Sequence, residues 1–395
     1  MIKRKWLQKL RKFSFVLLLL MTAVSYHPYF ANFQVVDKLP NPLNKYIMLL
    51  SVCTFLMYIR NILAIKNIFI SKYILCIAAS AFLSLMTICI FDDYRYIEEI
   101  KIIMLAFLFL TIGYSINIDS RQLVRLIFVY TCFVAFATFM QVIINIGGFI
   151  IADGYISYGK NSLGVMNASS AVALLVVTQV LSGKKRILCY LLYALLFLLM
   201  VTIRARTAYL TLFLMTGYLV YTKLKKKQYK IHPSYILIPP LCIISLLIIP
   251  GVWETLFGYV YDSFTQNHGG DITAGRTVRN IGALDIITDS PFLGNLWLER
   301  KIGQVHNYPL RVLSSYGVVI AFPLLYLYTI LLIKSVRGML SSWNLYNIGY
   351  IVMMVPLIIS MAEPTFPYAP GTSTIFPFIL FGVTLKNTIR DNSNT

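Results

Sequence analysis

Long apolar runs with almost no charged residues follow one another along the chain, separated by short polar connections. A helix needs roughly 20 mainly apolar residues to cross a bilayer. Reading the runs in this way predicts twelve helices, at about residues 13–30, 45–62, 72–91, 101–117, 124–146, 163–182, 187–203, 207–222, 234–250, 310–333, 345–362 and 372–385. The pattern therefore predicts an all-α, polytopic integral membrane protein, with residues 1–395 forming a single transmembrane domain.

The composition supports this prediction. Hydrophobic residues make up 58% of the 395 residues and charged residues only 13%, whereas soluble domains are about half apolar and a quarter charged. A soluble enzyme is therefore excluded. Six basic residues precede the first apolar run, which is typical of either a signal peptide or an uncleaved anchor. The absence of a clear cleavage site before Phe30 favours the anchor.

The basic residues are divided unevenly between the two sides of the predicted membrane. The connections on the side of Met1 hold 23 of the 35 Lys and Arg residues and two of the 15 acidic residues, Asp119 and Asp391. Cytoplasmic connections of membrane proteins carry such an excess of Lys and Arg. We therefore expect both termini in the cytoplasm. The net charge of +20 is then a topology signal rather than a nucleic-acid-binding surface, and no nucleic-acid partner is expected.

Neither a disulfide framework nor a metal site is predicted. All six cysteines fall within predicted helices, where they form no loop framework and no metal-ligand spacing. The acidic outer connection that contains Asp92 and Asp93 also contains the basic residues Arg95 and Lys101. We interpret it as a solvated, charge-paired cap rather than as a metal site, and we expect no cofactor.

One outer connection is much longer than the others. It covers residues 251–309, 59 residues between the ninth and tenth predicted helices, and loops of this length are usually functional. Within it, residues 273–288 have a helical pattern, with Val278 and Leu284 on one face and Arg276 and Arg279 roughly opposite. Proline and glycine follow at Pro291 and Gly294 and are expected to end this helix.

Two pairs of arginines lie on the otherwise Lys- and Arg-poor outer side. Arg204 and Arg206 lie in a tight connection, and Arg276 and Arg279 begin the helical stretch of the long loop. One interpretation is interfacial anchoring and a solvated helix face. The other is a clamp for a phosphate-bearing anion, because the forked guanidinium matches phosphate oxygens and helix N-termini attract anions.

His306 lies where the chain re-enters the membrane after the long loop. A lone histidine is usually structural, but a neutral imidazole is also a suitable general base near pH 7. Glu363 begins a proline-rich outer connection and is a secondary candidate for a base or a sugar contact. The predicted helix cores hold almost no ionisable residues, which argues against an ion-driven carrier.

These features together resemble the O-antigen ligase and O-antigen polymerase superfamily. The resemblance rests on an outer-loop arginine motif, an arginine before a helix that runs into Pro-x-x-Gly, and a His-Asn pair before a small-residue helix start. In this chain they are Arg206-Thr-Ala-Tyr209 with Ala205 in place of a serine, Gly275-Arg276 through Pro291-Phe-Leu-Gly294, and His306-Asn307 with Leu310 and Ser315-Tyr-Gly317. The segment Gly164–Ala171 departs from the family's Asn-Pro-Asn-like turn, and nothing is carried over there.

The resemblance implies inverting, metal-independent glycosyl transfer at the periplasmic face of a bacterial cytoplasmic (inner) membrane. Donor and acceptor would be undecaprenyl-diphosphate-linked glycans. Arg206 and Arg276, supported by Arg204 and Arg279, would bind the diphosphate. His306 would act as the base, with Asn307 and Glu363 as secondary site residues.

Three functions remain open at this point. The first is a polymerase of O-antigen or capsular repeat units, and the second is the ligase that transfers the glycan to lipid A-core. A flippase or other transporter is the alternative from a different class. The expected partners are the lipid bilayer and other polysaccharide-assembly proteins, such as a chain-length regulator.

The charge division generates a test of topology. A reporter fused after Lys227 is expected on the cytoplasmic side, and one inserted near Gly269 on the periplasmic side, because the ninth predicted helix lies between them. Alkaline phosphatase and fluorescent-protein fusions measure the two locations. If both positions report the same side, the helix assignment between them is wrong.

Overall fold

The computed structural model describes residues 2–30, 42–144, 160–203, 205–225, 276–300, 303–364, 367–368 and 371–392. In this part of the chain the secondary structure is helical, with no strand. The helices are α1 Ile2–Ala23, α2 Pro42–Leu63, α3 Ile68–Phe91, α4 Arg95–Ser115, α5 Ser120–Ile144, α6 Lys160–Val177, α7 Gly183–Thr202, α8 Arg206–Lys225, α9 Arg276–Asp289, α10 Asn295–Leu298, α11 Tyr308–Ser341, α12 Ile348–Ile359 and α13 Ile375–Asn392. Two 3₁₀ turns, Leu345–Asn347 and Gly371–Thr374, precede α12 and α13.

Each predicted helix that falls on described residues overlaps an observed one, although the first, predicted to residue 30, ends at Ala23 and the sixth, predicted to residue 182, ends at Val177. The predicted helix at 234–250 and the first part of the long connection, residues 251–275, lie outside the described residues. Helix α1 begins before the apolar run, at Ile2, because Lys, Arg and Gln are good helix formers and extend it through the basic segment. The helix of the long connection begins at Arg276, close to the predicted start.

Six described helices, α2, α3, α5, α6, α7 and α11, are long and apolar enough to cross a membrane. Large apolar side chains on the outward faces of the bundle are exposed, for example Leu49 and Leu56 of α2 and Leu75 and Phe82 of α3. Such helices, apolar on both their inner and outer faces, are stable where lipid covers the outer face. The protein is therefore a membrane-associated helical protein; the total of twelve crossings and their orientation stay predictions.

Helix α6 forms the centre of the bundle. Almost all of its side chains are buried, and it packs against α5, α7, α8 and α12. Its polar residue Asn167 is satisfied inside the bundle, since the side-chain amide donates to the Leu163 carbonyl at 2.8 Å and to the Thr138 hydroxyl at 2.9 Å. A buried amide with these partners costs little and fixes how α5 and α6 lie against each other.

Helix α11 is interrupted at Gly317, and the Pro291–Gly294 turn that follows α9 packs against this break. Gly317 has φ +65°, outside the helical range, and divides α11 into two parts. The break frees two backbone N–H groups from helical hydrogen bonds. The Val318 N–H donates to the Pro291 carbonyl at 2.8 Å, and the Val319 N–H donates to the Phe292 carbonyl at 3.3 Å. The backbones approach so closely that a Cβ on Gly317 would lie 2.3 Å from the Leu293 nitrogen. The turn and the break therefore form one joint.

Replacing Gly317 by alanine is expected to destabilise this joint. The left-handed backbone conformation costs about 1–3 kcal/mol for a non-glycine residue, and the clash with rigid backbone adds to this. Thermal unfolding of the detergent-purified protein measures the loss. Gly282→Ala in α9 is the control, because a Cβ there meets nothing within 4 Å; equal stability of the two variants would contradict the joint.

Candidate functional site

Three segments that are distant in sequence meet at one end of the bundle: the start of α9, the residues before α11, and the connection after α12. The Tyr308 N–H donates to the Ser360 carbonyl at 2.8 Å. Asn307 caps α11, since its side-chain oxygen accepts from the Leu310 N–H at 3.0 Å, while its amide donates to the Met361 carbonyl at 3.2 Å. Asn307, a secondary candidate from the sequence, therefore joins the segment of His306 to that of Glu363.

Four side chains form a charged cluster where these segments meet: Arg276, Arg279, His306 and Glu363. Arg276 Nη2 lies 3.1 Å from Glu363 Oε1. Arg279 Nη1 lies 3.1 Å from His306 Nε2, and His306 Nδ1 lies 3.9 Å from Glu363 Oε2. The Glu363 side chain is only 7% exposed and that of His306 18%. The two arginines of α9 thus face a carboxylate and an imidazole that are largely withdrawn from water.

The contact with Arg279 assigns the tautomer of His306. A guanidinium has only N–H donors, so Nε2 accepts and the imidazole proton resides on Nδ1. This Nδ1 is buried without a hydrogen-bond partner among the described residues, and the carboxylate of Glu363 is 3.9 Å away, beyond hydrogen-bond distance. The lone pair that a general base would use is therefore occupied by Arg279 in this structure.

The surroundings keep His306 neutral. Burial lowers its pKa, and the positive charges of Arg276 and Arg279 lower it further, to about 4. Both causes disfavour the imidazolium, the first by removing water and the second by repulsion. At neutral pH the imidazole is therefore uncharged and able to accept a proton.

Burial raises the pKa of Glu363 above its usual value, although nearby cations oppose this. The opposing influences are the charges of Arg276 and Lys160 and hydrogen bonds from Arg276 and Asn161. Lys160 is the first residue of α6 and is itself buried. The sequence analysis did not identify Lys160, although a lysine directly at the outer start of an apolar run was a visible signal.

Arg206, the remaining described arginine of the predicted clamp, begins α8 at the same end of the bundle. Helix α8 packs closely on α6 there, since a Cβ on Gly164 would lie 2.6 Å from the Ala205 Cβ and 2.9 Å from the Ala208 Cβ. Gly164 is one turn from Lys160, so Arg206 starts its helix beside the helix that carries Lys160. Arg204 lies outside the described residues.

A second, buried ion pair supports the segment of Glu363. Arg311 Nη1 lies 2.7 Å from Glu99 Oε1, and Arg311 Nε donates to the Pro364 carbonyl at 2.8 Å. The pair joins α4 and α11 to the residue next to Glu363 and holds that connection in place. Sequence reasoning missed this pair because its members are far apart along the chain.

The acidic connection after α3 forms its own ion pairs. Asp93 pairs with Arg95, and Glu98 pairs with Lys101 at 2.6 Å. These pairs agree with the expected charge-paired cap. Glu99, in the first turns of α4, instead turns inward to Arg311.

No family model matches the chain, and no curated protein matches it. The resemblance to the O-antigen ligase and polymerase superfamily therefore rests on the motif residues themselves.

The low pKa of His306 is open to direct measurement. In the resting protein, the His306 side chain should remain neutral and protonated at Nδ1 down to about pH 5, since its pKa is about 4. Arg279→Gln removes one repelling cation and frees Nε2, so the pKa should rise. Nitrogen-15 NMR of histidine-labelled protein reports both charge and tautomer, with His306→Gln assigning the signal. A titration midpoint near 6.5 in the unchanged protein would contradict the described environment.

Proposed function

We propose that the protein is a membrane glycosyltransferase that polymerises undecaprenyl-diphosphate-linked oligosaccharide repeat units, as an O-antigen or capsular polysaccharide polymerase. The observation that carries the proposal is the convergence of two arginines from one helix on a half-buried neutral histidine and a buried carboxylate. We place the site at the periplasmic face of a bacterial cytoplasmic membrane, with both termini in the cytoplasm.

The cluster has the charge that a diphosphate requires. Arg276, Arg279 and Lys160 supply three positive charges, and Glu363 supplies one negative charge when ionised. The arginines offer forked N–H donors that match phosphate oxygens. Arg206, at the start of the neighbouring helix, adds a further cation at this end of the bundle. In this proposal these cations, rather than a metal ion, stabilise the leaving diphosphate.

The reaction is a single displacement at the anomeric carbon of the donor glycan. A hydroxyl oxygen of the acceptor forms the new glycosidic bond, the bond to the diphosphate oxygen breaks, and the anomeric configuration inverts. The hydroxyl proton passes to Nε2 of His306, and the electron pair of the broken bond leaves with the polyprenyl diphosphate. Removal of the proton by a positioned base contributes typically 10²–10⁴-fold to such a step.

Binding of the donor prepares the base. Arg279 occupies Nε2 of His306 in the resting geometry, and a diphosphate is a stronger partner for a guanidinium than a neutral imidazole is. When Arg279 turns to the phosphates, the lone pair becomes available, and the added negative charge raises the pKa of His306. The Nδ1–H then faces Glu363, whose carboxylate stabilises the imidazolium that forms.

A transporter does not account for this arrangement. Ion-coupled carriers keep ionisable residues at membrane depth along the transport path. Here the residues of the Arg276, Arg279, His306 and Glu363 cluster lie together at one end of the bundle, whereas α6 after Lys160 and the whole of α12 contain no Asp, Glu, Lys or Arg. The arrangement favours chemistry at a membrane surface.

Substitution of the cluster residues tests the proposed roles. His306→Gln should lower the polymerisation rate by about 10²–10⁴-fold. Arg276→Lys, Arg279→Lys and Arg206→Lys should lose most activity, since lysine keeps the charge but not the forked donors, and the alanine variants should lose more. The assay is chain extension of a synthetic polyprenyl-diphosphate-linked repeat unit by purified protein at matched concentration.

Arg300→Ala is the matched control. Arg300 lies in the same connection but pairs with Asp289 at 2.7 Å, and both side chains are about half exposed. It should retain activity. Suppose that Arg300→Ala lowers activity as much as Arg276→Ala, while the three Arg→Lys variants stay fully active. The long connection then supplies only diffuse positive charge, and the proposed binding of the diphosphate by forked arginines is wrong.

Deletion of the gene separates polymerase from ligase. Loss of a polymerase leaves lipid A-core carrying a single repeat unit, because ligation continues without chain extension. Loss of a ligase leaves bare core and an accumulated lipid-linked polymer. The proposal expects the first pattern on a gel of surface glycans, and the second would replace the polymerase by the ligase.

A further inference from the structure

A cleft of about 800 Å³ opens between α5, α7 and the connection that follows α11. Its walls are mainly apolar and include Val124 and Phe128 of α5 and Leu188 and Cys189 of α7. Ligand pockets in proteins have volumes of about 300–1,000 Å³ and mostly apolar walls. The cleft is therefore large enough to hold part of an amphipathic molecule.

The cleft lies at the opposite end of the bundle from the cluster of Arg276 and His306. Helix α6 begins with Lys160 beside Glu363, and the residues that follow its far end, Val180 and Leu181, line the cleft. Its 18 residues correspond to a length of about 27 Å. Helix α11 likewise begins beside His306 and ends shortly before Asn344, which also lines the cleft. The two sites are therefore separate.

Three cations line this apolar cleft: Arg121 and Arg125, one turn apart on α5, and Lys185 at the start of α7. All three are exposed, and no Asp or Glu is among the residues that line the cleft. Within the described part of the chain, none of the three forms an ion pair. The nearby acid Asp119 accepts a hydrogen bond from the Gln122 N–H at 2.7 Å and caps α5.

The positive charge at the cleft comes from the side chains rather than from the helix ends. Helices α5 and α7 begin at the cleft and α6 and α11 end near it, so the positive and negative ends of their helix dipoles offset one another. Among the described residues, no acidic residue lines the cleft beside Arg121, Arg125 and Lys185. A negatively charged group among the three cations would lower the repulsion between them.

We infer that the cleft binds an anionic phospholipid, whose acyl chain lies along the apolar wall and whose phosphate lies against Arg121, Arg125 and Lys185. A phospholipid fits the cleft because its acyl chain covers the apolar wall while its phosphate contacts the three cations. A free phosphate would contact the cations but leave the apolar wall uncovered. Basic pockets between membrane helices bind anionic headgroups in this way. The inference does not depend on the reaction proposed for the other end.

The test measures which lipids stay bound to the purified full-length protein. The protein is exchanged into micelles containing phosphatidylglycerol or phosphatidylethanolamine, and native mass spectrometry counts the retained lipids. Phosphatidylglycerol should be retained more strongly. The variant with Arg121→Gln, Arg125→Gln and Lys185→Gln should bind it roughly tenfold or more weakly, because each surface cation contributes to anionic-lipid binding.

Two further variants separate a specific cleft from diffuse charge. The control replaces Arg60, Lys184 and Arg337, which are exposed and do not line the cleft, by glutamine and should retain phosphatidylglycerol normally. Leu188→Trp places a larger side chain in the cleft without changing the charge, and it should also reduce retention. Equal loss in the control triple variant, or full retention by Leu188→Trp, would overturn the inference.

A last arm distinguishes a lipid headgroup from a free anion. Inorganic phosphate is added at millimolar concentration to the protein with bound phosphatidylglycerol. The expected result is that the lipid remains, since phosphate makes no contact with the apolar wall. Displacement of the lipid by phosphate, or equal retention of both lipids by the unchanged protein, would show that the cleft is not an anionic-lipid site.

Discussion

The joint between the Pro291–Gly294 turn and the break at Gly317 determines where the arginine helix lies. At its far end α9 runs into this joint, where backbone approaches backbone too closely for a side chain on either glycine. At its near end, Arg276 and Arg279 contact Glu363 and His306. Helix α9 is thus fixed at both ends and spans about 21 Å. Its arginines are held by a rigid element rather than by a flexible loop, as precise binding requires.

Charge balance in the cluster links the fold to the proposed chemistry. An unpaired charge that is withdrawn from water is costly, and Arg276 is balanced by Glu363 in the resting structure. Burial lowers the pKa of His306, and the positive charges of Arg276 and Arg279 lower it further. In the proposed reaction, an incoming diphosphate offsets these two charges and restores the basicity of the imidazole. The features that keep the base inactive are therefore those that would bind the donor.

The sequence predicted the helices of the described residues and named Arg276, Arg279, His306 and Glu363 as candidates, but it did not predict the contacts among them. Apolar runs predict helices directly, because lipid-exposed and buried faces both require apolar side chains. The break at Gly317 was not predictable, since an isolated glycine in an apolar run does not reveal a positive φ. Glu363 was a secondary candidate, and its contact with Arg276, 87 residues away along the chain, was not predictable. The pair of Glu99 and Arg311 is more distant still, and a single sequence contains no signal for such long-range pairs.

The two ends of the bundle carry separate sites, and no chain of ionisable residues in α11 or α12 connects them. Between Arg311 and Lys334, α11 contains no ionisable Asp, Glu, Lys, Arg or His residue, and neither does α12. These helices thus provide no chain of groups to carry protons across the bilayer. In the proposed reaction, the driving force comes from the donor itself, through cleavage of the bond to the diphosphate. The opposite end is then free of any role in the chemistry, and its basic cleft can serve to hold the protein against the anionic lipid of its membrane.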